Sequence, residues 1–365
     1  MINRLVFENL RHRKLRTGLS ALSIGFQVTM ILVIVGLSRG MLQDSANRAR
    51  GVGADSWVKS PDSSVLSLSS GTMPEKMVAY FQGQPHVARA TGTLTALIGG
   101  GFTTISGIDF EQFTALSGPF KYVEGGSFQG PDDVMIDRMY ADQYKKHVGD
   151  KVNVLNCDWR VCGVVEPGKL ARMFVPLATL QDKTNGAGKV SQVLIKLDDH
   201  ANTPLVLAAL KVHLPDYKIH SIEEFLSQFS PENIPALQAF ISVITGLSIV
   251  VGFLVVSLTM YTTVLERTRE IGILKALGAA PLDIMGLLIR ETLILAIAGW
   301  IVGIALSFGA NWAINHFIRA SLQSVITPDW WPRALLISVI ASLLGALYPG
   351  MRAARQDAIE ALSYE

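Results

Sequence analysis

Four long apolar runs, with one long polar stretch set between the first and the second, constrain this chain more than any other feature. The runs cover residues 17–38, 237–262, 284–308 and 334–354, and the polar stretch is residues 39–236. A helix needs about 20 consecutive apolar residues to cross a bilayer. Each run meets that length, the fourth provided Pro349 only kinks it. A bilayer offers no water to unpaired backbone groups, so such runs are expected to be helical. Composition agrees, because 49% of residues are hydrophobic and 17% charged, whereas soluble domains run at about a quarter charged. A cleaved signal peptide has a shorter apolar core of about 7–15 residues followed by a small-x-small site. The first run is too long and no such site follows, so it is read as a retained span. The net charge of +2 leaves no footprint for nucleic acid.

Orientation follows from the short flanks. Arg4, Arg11, Arg13, Lys14 and Arg16 precede the first run, Arg267, Arg269 and Lys275 lie between the second and third, and Arg352 and Arg355 close the fourth. In the connector between the third and fourth runs, 309–333, the short stretch 318–332 holds only Arg319, with Trp330 and Trp331 at the expected level of an aromatic belt. Lys and Arg mark cytoplasmic segments. Both termini and residues 263–283 are therefore expected in the cytoplasm, with 309–333 and 39–236 outside it. The fold expected is four transmembrane helices plus a large α+β extracytoplasmic domain inserted between the first and second.

Within 39–236, Lys151–Leu155 and Arg160–Val165 read as a hairpin, and Met173–Pro176 and Gln192–Leu197 as further strands. Met139–His147, Thr203–His213 and Ile222–Phe229 read as helices. Residues Gly40–Arg50 have the pattern of a helical stalk continuing the first span, and Ile222–Phe229 that of its return.

Residues 263–283 form the unusual connector. Glu266, Arg267, Arg269, Glu270 and Lys275 are charged, and Ile271, Leu274 and Leu277 fall on one helical stripe. Gly278 stops this helix and Pro281 starts the next. Beyond it, Glu291 stands inside the third apolar run beside Arg290. An intramembrane carboxylate is a functional candidate, but near the cytoplasmic end a structural pair of Arg290 and Glu291 is the stronger reading.

Other chemistry is missing. Gly163–Leu170 has phosphate-loop spacing, yet Leu170 replaces the Ser or Thr that would hold Mg²⁺, and Pro167 interrupts the turn. Gly36-Leu-Ser-Arg-Gly40 has nucleophile-elbow spacing but sits at the end of a helix, not after a strand. No His pairs with His or Cys at a zinc-ligand spacing, so no metal is expected. Cys157 and Cys162 flank a hairpin turn in an oxidising compartment, where either a disulfide or two free thiols fits.

The segment Glu266-Arg-Thr-Arg-Glu-Ile-Gly-Ile-Leu-Lys-Ala-Leu-Gly-Ala279 resembles the coupling-helix signature of MacB/FtsX-type ABC transporter permeases, the group that includes LolC, LolE and DevC-type exporters. Three other stretches are similar to that family. They are Arg11–Ser20 to its amphipathic N-terminal helix (1–16 here), Val148–Val154 with Phe174–Leu180 to its periplasmic core, and Ala353–Leu362 to its cytoplasmic tail (355–365). The resemblance implies a bacterial inner-membrane protein with no catalytic residue and no cofactor of its own, ATP and Mg²⁺ being bound by a partner. That partner would be a cytoplasmic ABC ATPase on a separate chain, docked on the coupling helix. Glu266, Arg267, Arg269, Glu270, Ile271, Gly272, Lys275 and Gly278 are then its contact or shaping residues. A second permease chain is implied, as homo- or heterodimer, and the family admits a membrane-fusion adaptor and an outer-membrane channel. Mechanotransmission is the expected mode, in an exporter or extractor. The rival is an FtsX-like transmitter that switches a cell-wall hydrolase, whose outer domain is usually much smaller.

Overall fold

The computed structural model describes residues 14–63, 71–98, 103–228, 233–318 and 322–355. The expected N-terminal helix of 1–16 and tail of 355–365 lie almost wholly outside the described residues. The chain divides into two units. One is Met1–Leu37, Ala239–Ala313 and Ser324–Glu365, and the other is Ser38–Gln238 with Ile314–Gln323.

Helix α1 spans Lys14–Arg50. It does not stop where its apolar run does, but continues through Gly40–Arg50 and so enters the polar unit. There follow β1 (Ser56–Lys59), β2 (Met73–Pro74), α2 (Lys76–Gln82), β3 (Val87–Ile98), β4 (Thr103–Ile108), α3 (Phe110–Ser117), β5 (Tyr122–Gly125), β6 (Asp133–Asp137) and α4 (Arg138–Tyr144). Then come β7 (Lys151–Val154), β8 (Cys157–Val165), β9 (Met173–Pro176), α5 (Leu177–Lys183), β10 (Lys189–Val190), β11 (Gln192–Leu197), α6 (Thr203–His213), β12 (Lys218–Ser221) and α7 (Ile222–Ser227). The main sheet runs β12-β1-β11-β3-β4-β9-β6-β8-β5, with β7 on β8, and β2 pairs β10 apart from it. It is mixed, with parallel pairing at β4–β9 and β6–β8.

Side chains alternate across this sheet with the strand period of two. Val58, Val134, Ile136, Met173, Val175, Val193 and Ile195 join one core with Phe81 of α2, Leu180 of α5 and Leu207 of α6. The residues between them, Trp57, Met135, Phe174 and Leu194, join a second core with Phe113 of α3, Phe225 of α7 and Ala49 at the end of α1. Both faces are covered, which is why β6 is buried along its whole length. The β7–β8 hairpin begins pairing at Cys157, earlier than the Arg160 expected from sequence. Leu155 and Asn156 both take positive φ, at 56° and 59°, and close a two-residue turn whose twist suits a hairpin.

The apolar unit adds α8 (Pro235–Glu266), α9 (Thr268–Ala276), α10 (Pro281–Phe317) and α11 (Trp331–Arg355). Among the described residues, the four helices α1, α8, α10 and α11 are long and apolar enough to cross a membrane. Helix α10 outruns the expected 284–308 at both ends, and α11 passes through Pro349 to Arg355. Helices α1 and α10 touch backbone to backbone. A Cβ added at Gly299 would lie 2.6 Å from the Ile24 side chain, and one at Gly303 would lie 2.6 Å from Val28. The Thr29 hydroxyl donates to the Gly303 carbonyl at 3.0 Å. Small residues four apart permit this approach, and such contacts replace the hydrophobic effect where the surroundings are also apolar.

Candidate functional site

The connector between α8 and α10 is built on one inward-facing arginine. Helix α8 ends at Glu266, Arg267 leaves the helical path (φ −109°, ψ 12°), and α9 starts at Thr268. The Thr268 hydroxyl donates to the carbonyls of Val264 and Leu265 at 3.1 and 2.9 Å. The Val264 carbonyl also accepts the Arg267 amide at 3.2 Å, so the hydroxyl adds side-chain bonds where the helical path breaks. The Arg267 guanidinium donates from Nε to Glu270 Oε2 at 2.8 Å and from Nη1 to Glu291 Oε2 on α10 at 3.2 Å. The Arg267 and Glu291 side chains are each 9% exposed, while Glu270 is 58% exposed. Ile271 packs with Val264, Ile284, Leu288 and Ala353.

The far end of α9 closes as a Schellman motif. Gly278 N–H bonds Lys275 O at 2.9 Å, and Ala279 N–H bonds Leu274 O at 3.0 Å. The motif needs a left-handed residue, and Gly278 supplies it at φ +95°. Asp283 Oδ2 then accepts from the Ala280 amide at 2.9 Å as α10 begins.

These contacts sort the residues singled out from sequence. Arg267, Ile271 and Gly272 are buried and shape the connector from within, whereas Glu266, Arg269, Glu270 and Gly278 are exposed and Lys275 is half-buried. The stripe of Ile271, Leu274 and Leu277 is not one face here. Ile271 is buried and Leu277 is 81% exposed, and Ile273 is the other large apolar side chain turned outward. Glu291 is held by Arg267, a partner not foreseen, and Arg290 beside it is exposed. The pair of Cys157 and Cys162 is a correction: both thiols are free. They lie five residues apart on β8, about 17 Å at 3.3 Å per residue. A disulfide needs its Cα atoms within about 7 Å. Burial, then the Asp133 charge, pushes the Cys162 thiol up to about 12. Gly36–Gly40 lies inside α1, so no strand leads into it. Among the described residues no group of three His, Cys, Asp or Glu is arranged for a metal.

A second buried arginine went unnoticed in the sequence. Arg172, just before β9, donates from Nη1 to Asp137 Oδ2 at 2.8 Å and from Nη2 to Asp44 Oδ2 at 2.9 Å. Gln323 Nε2 donates to the other oxygen of Asp44 at 2.9 Å. Asp137 also caps α4 by accepting from the Tyr140 amide at 2.7 Å. Burial pushes the Asp137 carboxyl up by more than Arg172 and that amide pull it down. The one hint in the sequence was the four-residue spacing of Asp44 and Arg48, which pair at 3.2 Å.

A polar mixed-sheet unit whose sequence is inserted between the first two of four long apolar helices, with a short charged helix between the second and third, is the arrangement that two family models match, and they place it among permeases of the ABC transporter class. The chain belongs to the family with a MacB-like periplasmic core domain, matched over residues 17–212, and an FtsX-like permease C-terminal domain, matched over 242–358. It is 22% identical over 387 residues to the macrolide export ATP-binding/permease protein MacB of Psychrobacter cryohalolentis, covering 97% of this chain and 58% of that protein. The corresponding protein of Bdellovibrio bacteriovorus is 24% identical over 401 residues, covering 98% and 61%. The chain thus spans about three-fifths of the length of these relatives. Among solved structures it is similar to the periplasmic region of MacB from Actinobacillus actinomycetemcomitans, at 16% identity and a TM-score of 0.38 over 49% of this chain and 94% of that one. It is also similar to the extracellular domain of the noncanonic ABC-type transporter YknZ from Gram-positive bacteria, at 16% identity and a TM-score of 0.36 over 46% and 99%.

Proposed function

We propose that this permease works by mechanotransmission. An ABC ATPase, not contained in these 365 residues, binds α9 on the cytoplasmic side of a bacterial inner membrane. ATP-driven closure of that ATPase displaces α9, and the spans carry the displacement to the polar unit outside the cytoplasm. Two permease chains stand over two ATPases, and the polar unit moves a substrate beyond the inner membrane. The relatives are named as macrolide exporters, so an apolar drug-like cargo is a natural first test.

The observation that carries this reading is the Arg267 node. It fixes the start of α9 to α10 through buried Glu291 while leaving Glu270, Arg269, Ile273 and Leu277 on the outside. A helix anchored on one face and open on the other passes a push inward, because packed helices shift as bodies and do not deform smoothly. Mixed charge beside two exposed apolar side chains also suits a protein groove.

The test is co-purification of the full chain with its cognate ABC ATPase. Glu270→Lys reverses a charge on the outer face, and retained ATPase should drop about tenfold, as for a lost charge pair of 1–2 kcal/mol. Unchanged retention with intact folding would sink this account of α9.

A further inference from the structure

A cleft of about 400 Å³ opens in the polar unit beside the last turns of α1 and the β12–β1–β11 end of the sheet. That volume is in the range of small-molecule sites. Its lining includes Arg48, Lys59, Lys218 and His220, and among the described residues that line it there is no Asp or Glu. Two of these four bases have a carboxylate from outside the lining, Arg48 from Asp44 and His220 from Glu224 at 3.7 Å, while Lys59 and Lys218 bring positive charge to the wall. Arg48 meets Asp44 outside the cleft through Nε at 3.2 Å and Ser45 through Nη2 at 3.3 Å. Its Nη1 is buried without a hydrogen-bond partner, and so is the indole N–H of Trp57, a residue 3% exposed.

A buried donor without an acceptor costs about 1–3 kcal/mol, and folded proteins keep few of them. Two such donors on residues lining one cleft leave its wall rich in donors and short of acceptors. The positive charges make the same demand. Burial first, and the neighbouring Lys218 charge second, together lower the Lys59 ammonium to about 8. Lys59 Nζ stands 4.7 Å over the Phe225 ring, and Phe225 stacks on Trp57 at 4.4 Å. Lys218 donates to the Ser63 carbonyl. The stack gives the cleft an apolar wall, and Ser106 and Ser191 add hydroxyls.

We propose that this cleft binds a phosphate ester of a small polyol, its phosphate held by Arg48, Lys59 and Lys218 and its carbon chain lying along the Trp57–Phe225 stack. Arginine suits phosphate because its fork of donors matches the oxygens, and the cleft is larger than a phosphate alone requires. The same chemistry occurs in an anionic lipid head group and in a free polyol phosphate. Ser45, Arg48 and Ala49 belong to α1, so occupancy bears on the helix that also contains the first apolar run. The site does not depend on the mechanotransmission reading, since it needs no ATPase.

The experiment is native mass spectrometry of the full chain in detergent, titrated with glycerol 3-phosphate in one arm and dihexanoyl phosphatidylglycerol in the other, with glycerol as the uncharged control. At least one phosphate probe should bind and glycerol should not. Whichever arm binds identifies the source as free or lipid-borne. Lys59→Gln with Lys218→Gln should weaken binding by about tenfold or more, each charge-assisted bond being worth 1.5–3 kcal/mol. Trp57→Phe removes the indole N–H and the outer part of the ring while leaving an aromatic side chain against Phe225, so it should weaken binding severalfold in a chain whose melting curve shows it folded. That variant keeps the idea testable if the double variant fails to fold. Binding of neither probe at millimolar concentration, or equal binding by Trp57→Phe and the unaltered chain, overturns the proposal.

Discussion

Arg172 in the polar unit and Arg267 in the apolar unit have the same local design, one guanidinium bridging two carboxylates, yet they are buried differently. Both partners of Arg172 are enclosed, with Asp137 at 2% and Asp44 at 14% exposure. Arg267 has one enclosed partner, Glu291, and one that faces outward, Glu270. A fully desolvated charge pair is costly to break and keeps one arrangement. A half-exposed one exchanges a partner cheaply, because water and screening replace what is lost. The polar-unit node is therefore a fastening that holds the end of α1 to β6 and to the segment before β9. The apolar-unit node keeps one bond fixed and one available, which is what the docking proposed for α9 would use.

The largest effect should come from Arg172→Met. Removing one partner of a buried pair costs about 3–5 kcal/mol. The low end applies here, because Asp44 keeps Arg48 and Asp137 can take up a proton. Chemical denaturation followed by the far-ultraviolet signal of the polar unit's sheet measures it, and a loss under 1 kcal/mol would remove the distinction between the nodes.

Arg267 and Glu291 come next. Glu291→Gln leaves the guanidinium with Glu270 and solvent on one side, so a loss of about 2 kcal/mol is expected, below the buried-pair range. A double-mutant cycle with Arg267→Gln isolates the pair, and non-additivity of about 1 kcal/mol or more should be found. The same cycle on Arg267 and Glu270 should give about 0.5 kcal/mol, as exposed pairs do. Equal couplings would mean that Arg267 has two equivalent partners.

What could be read from sequence divides along the same line. The apolar runs were legible because bilayer length and hydropathy act residue by residue. Helix α6 and strands β9 and β11 have the bounds expected, since local periodicity determined them. The nodes were not legible, because their partners stand 24, 35 and 128 residues apart and only the folded chain brings them together. The misread stripe on α9 has a local cause. Leu277 is the C-cap of a nine-residue helix, so it sits past the last turn, and helical spacing does not predict where its side chain points. Cys157 and Cys162 were placed on opposite sides of a turn, but the turn at Leu155–Asn156 puts both on one strand.

The smallest effect concerns pH, and it separates Asp137 from Asp133, four residues away on β6. Burial pushes both carboxyls up. At Asp133 the amide of Gln129, the Arg160 guanidinium and the amide of Gly130 together outweigh burial and hold it below the usual range, while at Asp137 burial wins. A raised carboxyl binds more protons folded than unfolded, so its contribution to stability is full below about pH 4 and is lost as pH rises through its folded value. A lowered one contributes above about pH 4 and loses that as pH falls. Acidifying from neutral should therefore widen the stability gap between the unaltered chain and Asp137→Asn, and narrow the gap to Asp133→Asn. Denaturation curves at a series of pH values give both gaps. If the Asp137 gap narrowed in acid, Arg172 would be outweighing burial, and the polar-unit node would be an ordinary salt bridge like that of Arg160 and Asp133.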